Sequence, residues 1–190
     1  MKQVVKVAMS LTAMVLMAAC GNNNSNEKKN EMKNEKDTTK HEGHDMEKKT
    51  SSSSGKVNVT DDKLNAVYQH YVHLTTALIN GDVAEAKIAG NTIEAGIKEV
   101  PGGKSVAVSA AKITTASDIE VQRAAYSTLS NDFIALIKKS GLNSGELYVD
   151  YCPMALNDKG AYWVSNNKEI KNPYFGDKML TCGEVKETIK

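Results

Sequence analysis

The chain has 190 residues, with 24 Lys and Arg against 23 Asp and Glu, and a formal net charge of +1. Charges of both signs are interspersed along it, so no basic face is available to hold nucleic acid. Aromatic residues make up only 5% of the sequence, and they crowd toward the C-terminus, where Tyr148, Tyr151, Tyr162, Trp163, Tyr174 and Phe175 lie.

At the N-terminus Lys2 and Lys6 precede a mainly apolar run from Val7 to Met17, which closes on Ala18 and Ala19 before Cys20. This is the pattern of a secretory signal with a lipoprotein-type cleavage site. The run is shorter than the roughly 20 apolar residues needed to span a bilayer. Residues 1–19 are therefore expected to be removed and Cys20 to carry a lipid. That makes the chain an exported lipoprotein of the cell envelope, anchored to a bacterial membrane and facing the periplasm or the exterior. Lipidation uses one of the three cysteines and leaves Cys152 and Cys182 in an oxidising compartment.

Residues 20–58 read as the lipidated cysteine and a polar tether rich in Asn, Lys, Glu, Ser and Thr, with too little apolar surface to offset the entropy of ordering. Inside it, His41, His44 and Met46 are three ligands suited to a soft or borderline metal such as copper.

Residues 59–190 read as one domain with a modest core. Capping chemistry at Thr60-Asp61-Asp62 opens a first helix with Leu64, Val67, Tyr68, Tyr71, Leu74, Thr75 and Leu78 on one face, and Asn80-Gly81 ends it. Asp82 and Glu85 resemble a capping box for a second helix, with Ala86, Ala89, Ile93 and Ile97 along its apolar side and Pro101-Gly102-Gly103 as its stop. A third helical stretch is expected from Val106 to Ile113. A fourth, capped by Ser117 with Glu120, carries Val121, Ala125, Leu129, Phe133, Leu136 and Ile137 and stops at Gly141. Short connections predict antiparallel neighbours, and the frequent alanines predict close packing. The fold class is mainly α, an up-and-down three- or four-helix bundle with a short irregular or β C-terminal segment packed on it.

On the first helix His70 and His73 lie one turn apart, close enough to share an ion if their face is open. Gln122 and Arg123, on the fourth, are expected to pair with acids at the bundle surface. After Gly145 the apolar period changes to two, with Leu147, Val149 and Tyr151 alternating with Tyr148, Asp150 and Cys152, which reads as a strand ended by Pro153. Asn157-Asp158-Lys159-Gly160 is a turn signal before Ala161-Tyr-Trp-Val164, and Asn172-Pro173-Tyr174-Phe175-Gly176 is another.

The richest chemistry is here. Cys152-Pro-Met154 and Met179-Leu-Thr-Cys182 carry the same two sulfur ligands in opposite order. Cys152 and Met154, two apart in an extended segment, are expected to point to one side, and Met179 and Cys182 to share one face of a helical turn. Folded together they would offer two thiolates and two thioethers, a set that favours Cu(I). The same two cysteines also suit a Cys152–Cys182 disulfide, with the methionines as core filler. Residue types leave both readings open.

Tyr151-Cys-Pro-Met-Ala155, Trp163-Val-Ser165, Ile170-Lys-Asn-Pro-Tyr-Phe-Gly176 and Met179-Leu-Thr-Cys-Gly183 resemble the signature of an exported domain-of-unknown-function family. Its members occur in bacterial lipoproteins and fused to periplasmic adaptor subunits of heavy-metal efflux pumps. The resemblance runs from about Asp61 to the C-terminus. It implies a helical domain in copper or related metal handling, with Cys152, Met154, Met179 and Cys182 at the sulfur positions and a metal-efflux or metallochaperone protein as partner. Many relatives carry histidines beside the Gln-Arg pair, where this chain has Val121 and Ala125. No Ser/His/Asp arrangement, phosphate-cradling glycine loop or carboxylate pair beside a histidine points to catalysis, so the chain is expected not to be an enzyme.

Overall fold

A computed structural model of the chain describes residues 56–190. The signal segment, Cys20, and the tether ligands His41, His44 and Met46 lie outside the described residues. Four helices follow one another: α1 (Asp62–Asn80), α2 (Val83–Ile97), α3 (Lys104–Thr115) and α4 (Ile119–Ser140). Each packs on the next, and α4 returns against α1 to close the bundle. This is the four-helix form of the expected architecture.

The ends of the helices follow from local chemistry. Asp61 accepts from the Leu64 amide at 2.8 Å and caps α1. Gly81, at φ 70°, takes the left-handed conformation that closes it, a position where any Cβ would be strained. Asp82 accepts from the amides of Ala84 and Glu85 to start α2. The expected reciprocal half of that capping box is missing, because the Glu85 carboxylate turns to His73 instead, at 2.9 Å. At α4 the cap is Asp118, one residue after the expected Ser117, and it accepts from Glu120 and Val121.

Small residues set how closely the helices approach. Ala86, Ala89, Ala107 and Ala110 are buried. A Cβ at Gly90 would press on Thr114, Ile113 and the Ala110 carbonyl across the α2–α3 contact. Leu64, Leu74, Leu78, Ile93, Ile97, Ile113, Leu129 and Phe133 fill the interior. Each such side chain contributes on the order of 2 kcal/mol by leaving water.

Two small antiparallel sheets accompany the bundle among the described residues. In one, β1 (Asn58–Val59) pairs with β2 (Leu142–Ser144). Asn58, assigned by sequence to the tether, thus belongs to the folded domain, and Val57 and Val59 are buried with it. The Thr60 amide donates to the Gly141 carbonyl and the Asp61 amide to Ser140 Oγ, fastening the start of α1 to the end of α4. The other sheet has the order β4 (Ala161–Ser165), β3 (Leu147–Cys152), β5 (Glu184–Ile189). Asp150 stands opposite Trp163 and Cys152 opposite Ala161. β5 was not read from the sequence, because Glu184-Val-Lys-Glu-Thr-Ile189 carries charge at three of six positions and lies almost wholly exposed at a sheet edge. The β3–β4 connection makes a tight turn in which Leu156, Asn157 and Asp158 are left-handed at φ 55°, 58° and 60°. For non-glycine residues such a conformation costs on the order of 1 kcal/mol each.

Candidate thiol and metal centre

The sheet rests on the bundle through buried hydroxyl groups. Tyr71 on α1 stacks on Phe133 with ring centres 4.5 Å apart. Its hydroxyl joins Ser130 at 2.7 Å, accepts from the Tyr126 hydroxyl at 2.8 Å, and accepts the Val164 amide of β4 at 3.0 Å. Thr75 adds a bond to the Tyr126 hydroxyl at 2.8 Å. Burial pushes the phenols of Tyr71 and Tyr126 above their ordinary range, so the network stays neutral. Tyr174 packs its ring against Tyr126 and Trp163, and its hydroxyl donates to the Tyr162 carbonyl at 2.6 Å. Of the aromatic residues concentrated late in the sequence, Trp163 and Tyr174 thus form the seam between sheet and bundle.

A long loop, 166–183, lies over this seam, and two buried polar residues hold it. Arg123 is 4% exposed. Its Nε donates to the Pro173 carbonyl at 2.9 Å, one terminal nitrogen donates to the Leu78 carbonyl at 3.0 Å, and the other pairs with Glu120 at 2.7 Å. Gln122 is fully buried and donates to the carbonyls of Val83 and Ile113. The expectation that this pair meets acids at the bundle surface therefore needs correction. Only the Glu120 contact has that character, and the other donors go to backbone carbonyls: Pro173 in the loop, Leu78 and Ile113 in the last turns of α1 and α3, and Val83 at the start of α2. Asn172, also fully buried, donates to the Cys182 carbonyl at 2.7 Å and accepts from the Tyr174 amide at 2.8 Å. Its own amide donates to the Leu180 carbonyl at 2.8 Å.

That scaffold sets Cys182 against Cys152. The two sulfurs, thirty positions apart in sequence, lie 2.7 Å from one another, both as free thiols. Cys152, at the end of β3, is fully buried, and Cys182 is half-buried. The hydrogen bond that the Cys182 thiol donates to Cys152, and then burial, push Cys182 up to about 11. Cys182 therefore holds its proton at neutral pH.

The methionines are placed differently from one another. Met179 is joined to Cys182 by a tight turn, the Cys182 amide donating to the Met179 carbonyl at 3.1 Å, and the turn is not helical, since Met179 lies at φ −151° and ψ 56°. Met154 does not share a side with Cys152. It is 47% exposed while Cys152 is 0% exposed. Pro153 has no amide to continue the ladder, the strand ends at Cys152, and the alternation that would have aligned the two side chains ends with it.

Away from the sulfurs, His73 is engaged by Glu85, tying α1 to α2 on an exposed face, and His70 sits one turn before it. Among the described residues no three His, Cys, Asp or Glu side chains converge as a metal site. A metal at the thiol pair would therefore draw on Cys152, Cys182 and methionine sulfur. Two thiolates bound at about 2.3 Å with a tetrahedral angle sit about 3.8 Å apart. The pair would have to open by roughly 1 Å to seat an ion on those terms, whereas closing to a disulfide at about 2.05 Å is the shorter movement. The donor set fits a soft ion chemically.

Asp150 was missed as a feature of this region. It lies two residues before Cys152, is fully buried, and neither carboxylate oxygen has a hydrogen-bond partner. Burial pushes its pKa from 3.8 up to about 7. The signal was present in the sequence as one acid inside the otherwise apolar and aromatic run Leu147–Cys152. Asn172 left no comparable signal, since an Asn before Pro reads as an ordinary turn residue.

Residues 67–145 match a family described as "Protein of unknown function (DUF3347)". The matched span takes in most of α1, all of α2, α3 and α4, and β2, and it ends before β3. The chain thus carries a helical domain similar to that family of unknown function. The cysteine-bearing segment lies beyond the match. No curated protein and no solved structure matches the chain.

Proposed function

We propose that this chain is an envelope lipoprotein, anchored through Cys20, whose folded domain binds a soft metal ion, Cu(I) in the first place, in metal handling or efflux and without catalysis. The observation that carries the reading is the meeting of Cys152 and Cys182 at 2.7 Å from the two ends of a thirty-residue segment. Met179 shares the turn of Cys182. Met154, exposed two residues after Cys152, is the second thioether of the two motifs. Thiolate and thioether sulfur suits Cu(I) over harder cations. The resemblance of the Cys-Pro-Met and Met-Leu-Thr-Cys motifs to a family that also occurs fused to efflux adaptors supports a metal-efflux or metallochaperone protein as the partner. The tether ligands His41, His44 and Met46 would serve as a weaker collecting site on the same chain.

A second reading is favoured by the complete burial of Cys152 and the absence, among the described residues, of a third converging His, Cys, Asp or Glu. On it, the pair is a disulfide that pins the loop, and the domain is a structural or partner-binding module with no metal.

An anaerobic Cu(I) titration of the reduced chain against a competing chelator tests the choice, with a Cys152→Ser, Cys182→Ser double variant beside it. Stoichiometric binding that the double variant loses supports the metal site. Equal competition by both proteins removes the thiol pair from metal binding and leaves the pinned module.

A further inference from the structure

Cys152 and Cys182 differ in the way that matters most for sulfur chemistry, which is access. Cys152 is 0% exposed, in the same core as Ala155, Ala161 and Trp163. Cys182 reaches solvent from the loop, with its backbone held on both sides by Met179 and Asn172. Gly183, directly after it, sits at φ 140° against Trp163, where a Cβ would come within 2.9 Å of the indole. The position of Cys182 is therefore fixed by the loop's own bonding.

We propose that Cys152 and Cys182 form a thiol–disulfide exchange couple in which Cys182 is the sulfur that meets an external thiol and Cys152 is the buried leaving and resolving sulfur. Exchange at sulfur proceeds through a mixed disulfide, with attacking, central and leaving sulfurs nearly in line. Cys182, partly exposed, is the sulfur an external thiol can reach, whereas an attacker on the fully buried Cys152 would have to come through the packed core. In the oxidised chain an external thiolate RS⁻ attacks Cys182 Sγ. The Cys182–Cys152 bond breaks, a Cys182–S–S–R bond forms, and Cys152 leaves as a thiolate that takes up a proton. A second external thiolate then attacks the R-side sulfur of the mixed disulfide. This releases RSSR and the Cys182 thiolate, so two thiols are oxidised and one disulfide is reduced. Oxidation of the chain is the reverse sequence. The couple uses the same sulfurs as the proposed metal site but needs no ion.

The test uses the full chain in detergent, with Cys20→Ser so that Cys152 and Cys182 are its only cysteines, and with a chelator present. The chain is oxidised with diamide, pulsed briefly with reduced glutathione, quenched with acid and then alkylated with N-ethylmaleimide in urea so that a buried thiol is labelled too, and the adducts are mapped by peptide mass spectrometry. Glutathione should be found on Cys182 and maleimide on Cys152, in at least about tenfold excess over the opposite pattern, as the inertness of buried cysteines requires. An even or reversed partition overturns the proposal, and so does failure of diamide to close the pair. Because this arm keeps both thiols, it does not depend on a variant folding. As a second arm, Cys152→Ser should accumulate a stable mixed disulfide from oxidised glutathione, while Cys182→Ser should react only after urea is added. Equal reactivity of the two variants in native buffer would overturn it. A chain that exchanges in the expected order but does not compete for Cu(I) retains the couple and loses the metal reading, and the converse result does the opposite.

Discussion

The helical bundle and the C-terminal sheet with its loop are held together by different physics. The bundle is stabilised by many interchangeable apolar contacts among Leu, Ile and Ala side chains, each modest and none directional. The loop that carries Cys182 is held by a few directional hydrogen bonds from Arg123 and Asn172, together with the Tyr174 seam. Losing one apolar contact weakens the bundle in proportion. Losing one buried donor leaves a carbonyl unsatisfied, which costs about 1–3 kcal/mol for that group alone. The comparison also bears on the family match, since the matched residues 67–145 include both Gln122 and Arg123 and stop before the segment Arg123 anchors.

The largest expected effect comes from cutting the link between the two regions. Arg123→Ala removes donors to the carbonyls of Pro173 and Leu78 and should destabilise the folded chain by about 3 kcal/mol. The single tryptophan, Trp163, lies in the sheet and reports on it separately from the helices. In urea the variant's Trp163 fluorescence should change before its far-ultraviolet circular dichroism. Coincident transitions would mean that the two regions remain one cooperative unit without the arginine.

Asn172→Ala should cost less, about 2 kcal/mol, and should act locally. The Tyr174 amide, which donates to Asn172 Oδ1, should exchange its hydrogen much faster, while amides in the middle of α4 keep their protection. Loss of protection throughout α4 would show that Asn172 supports the whole domain and not the Cys182 loop.

A smaller effect, confined to pH, is expected from Asp150. Its folded pKa of about 7 lies above its ordinary 3.8, so the native state holds a proton that the unfolded state has released between those values. The stability this contributes is fully present below about pH 4 and is lost as pH rises through 7. With chelator present, the urea midpoint of the native sequence should fall between pH 5 and pH 8, and Asp150→Asn should flatten that slope. An equal slope in both proteins would assign the pH dependence to other groups.

How far the site could be read from the sequence follows the same division. The bundle was legible because a helix buries one face at a fixed period, which Leu64, Val67, Tyr71, Leu74 and Leu78 display without reference to anything distant. Gln122 and Arg123 sat in an equally clear helix, yet polar side chains read as surface; the ends of α2 and α3 meet Gln122, and the loop arriving at Pro173 meets Arg123. The alternation through Leu147–Cys152 identified β3, but extending it to Met154 failed at Pro153, where the ladder stops. β5 lacked alternation because as an edge strand it buries only Ile189.

The sequence by itself determined the helical segments and their order, the caps at Asp61 and Asp82, the strand before the Asn157–Gly160 turn, and which sulfur ligands are available, because each of these rests on near-neighbour geometry and residue chemistry. Only the tertiary structure decided that Cys152 faces Cys182, that one is buried and the other reachable, and that Arg123 and Asn172 hold them there. Those facts depend on contacts between residues from 30 to 50 positions apart and on hydrogen bonds to backbone carbonyls, and carbonyls are the same at every position and leave no mark in the sequence.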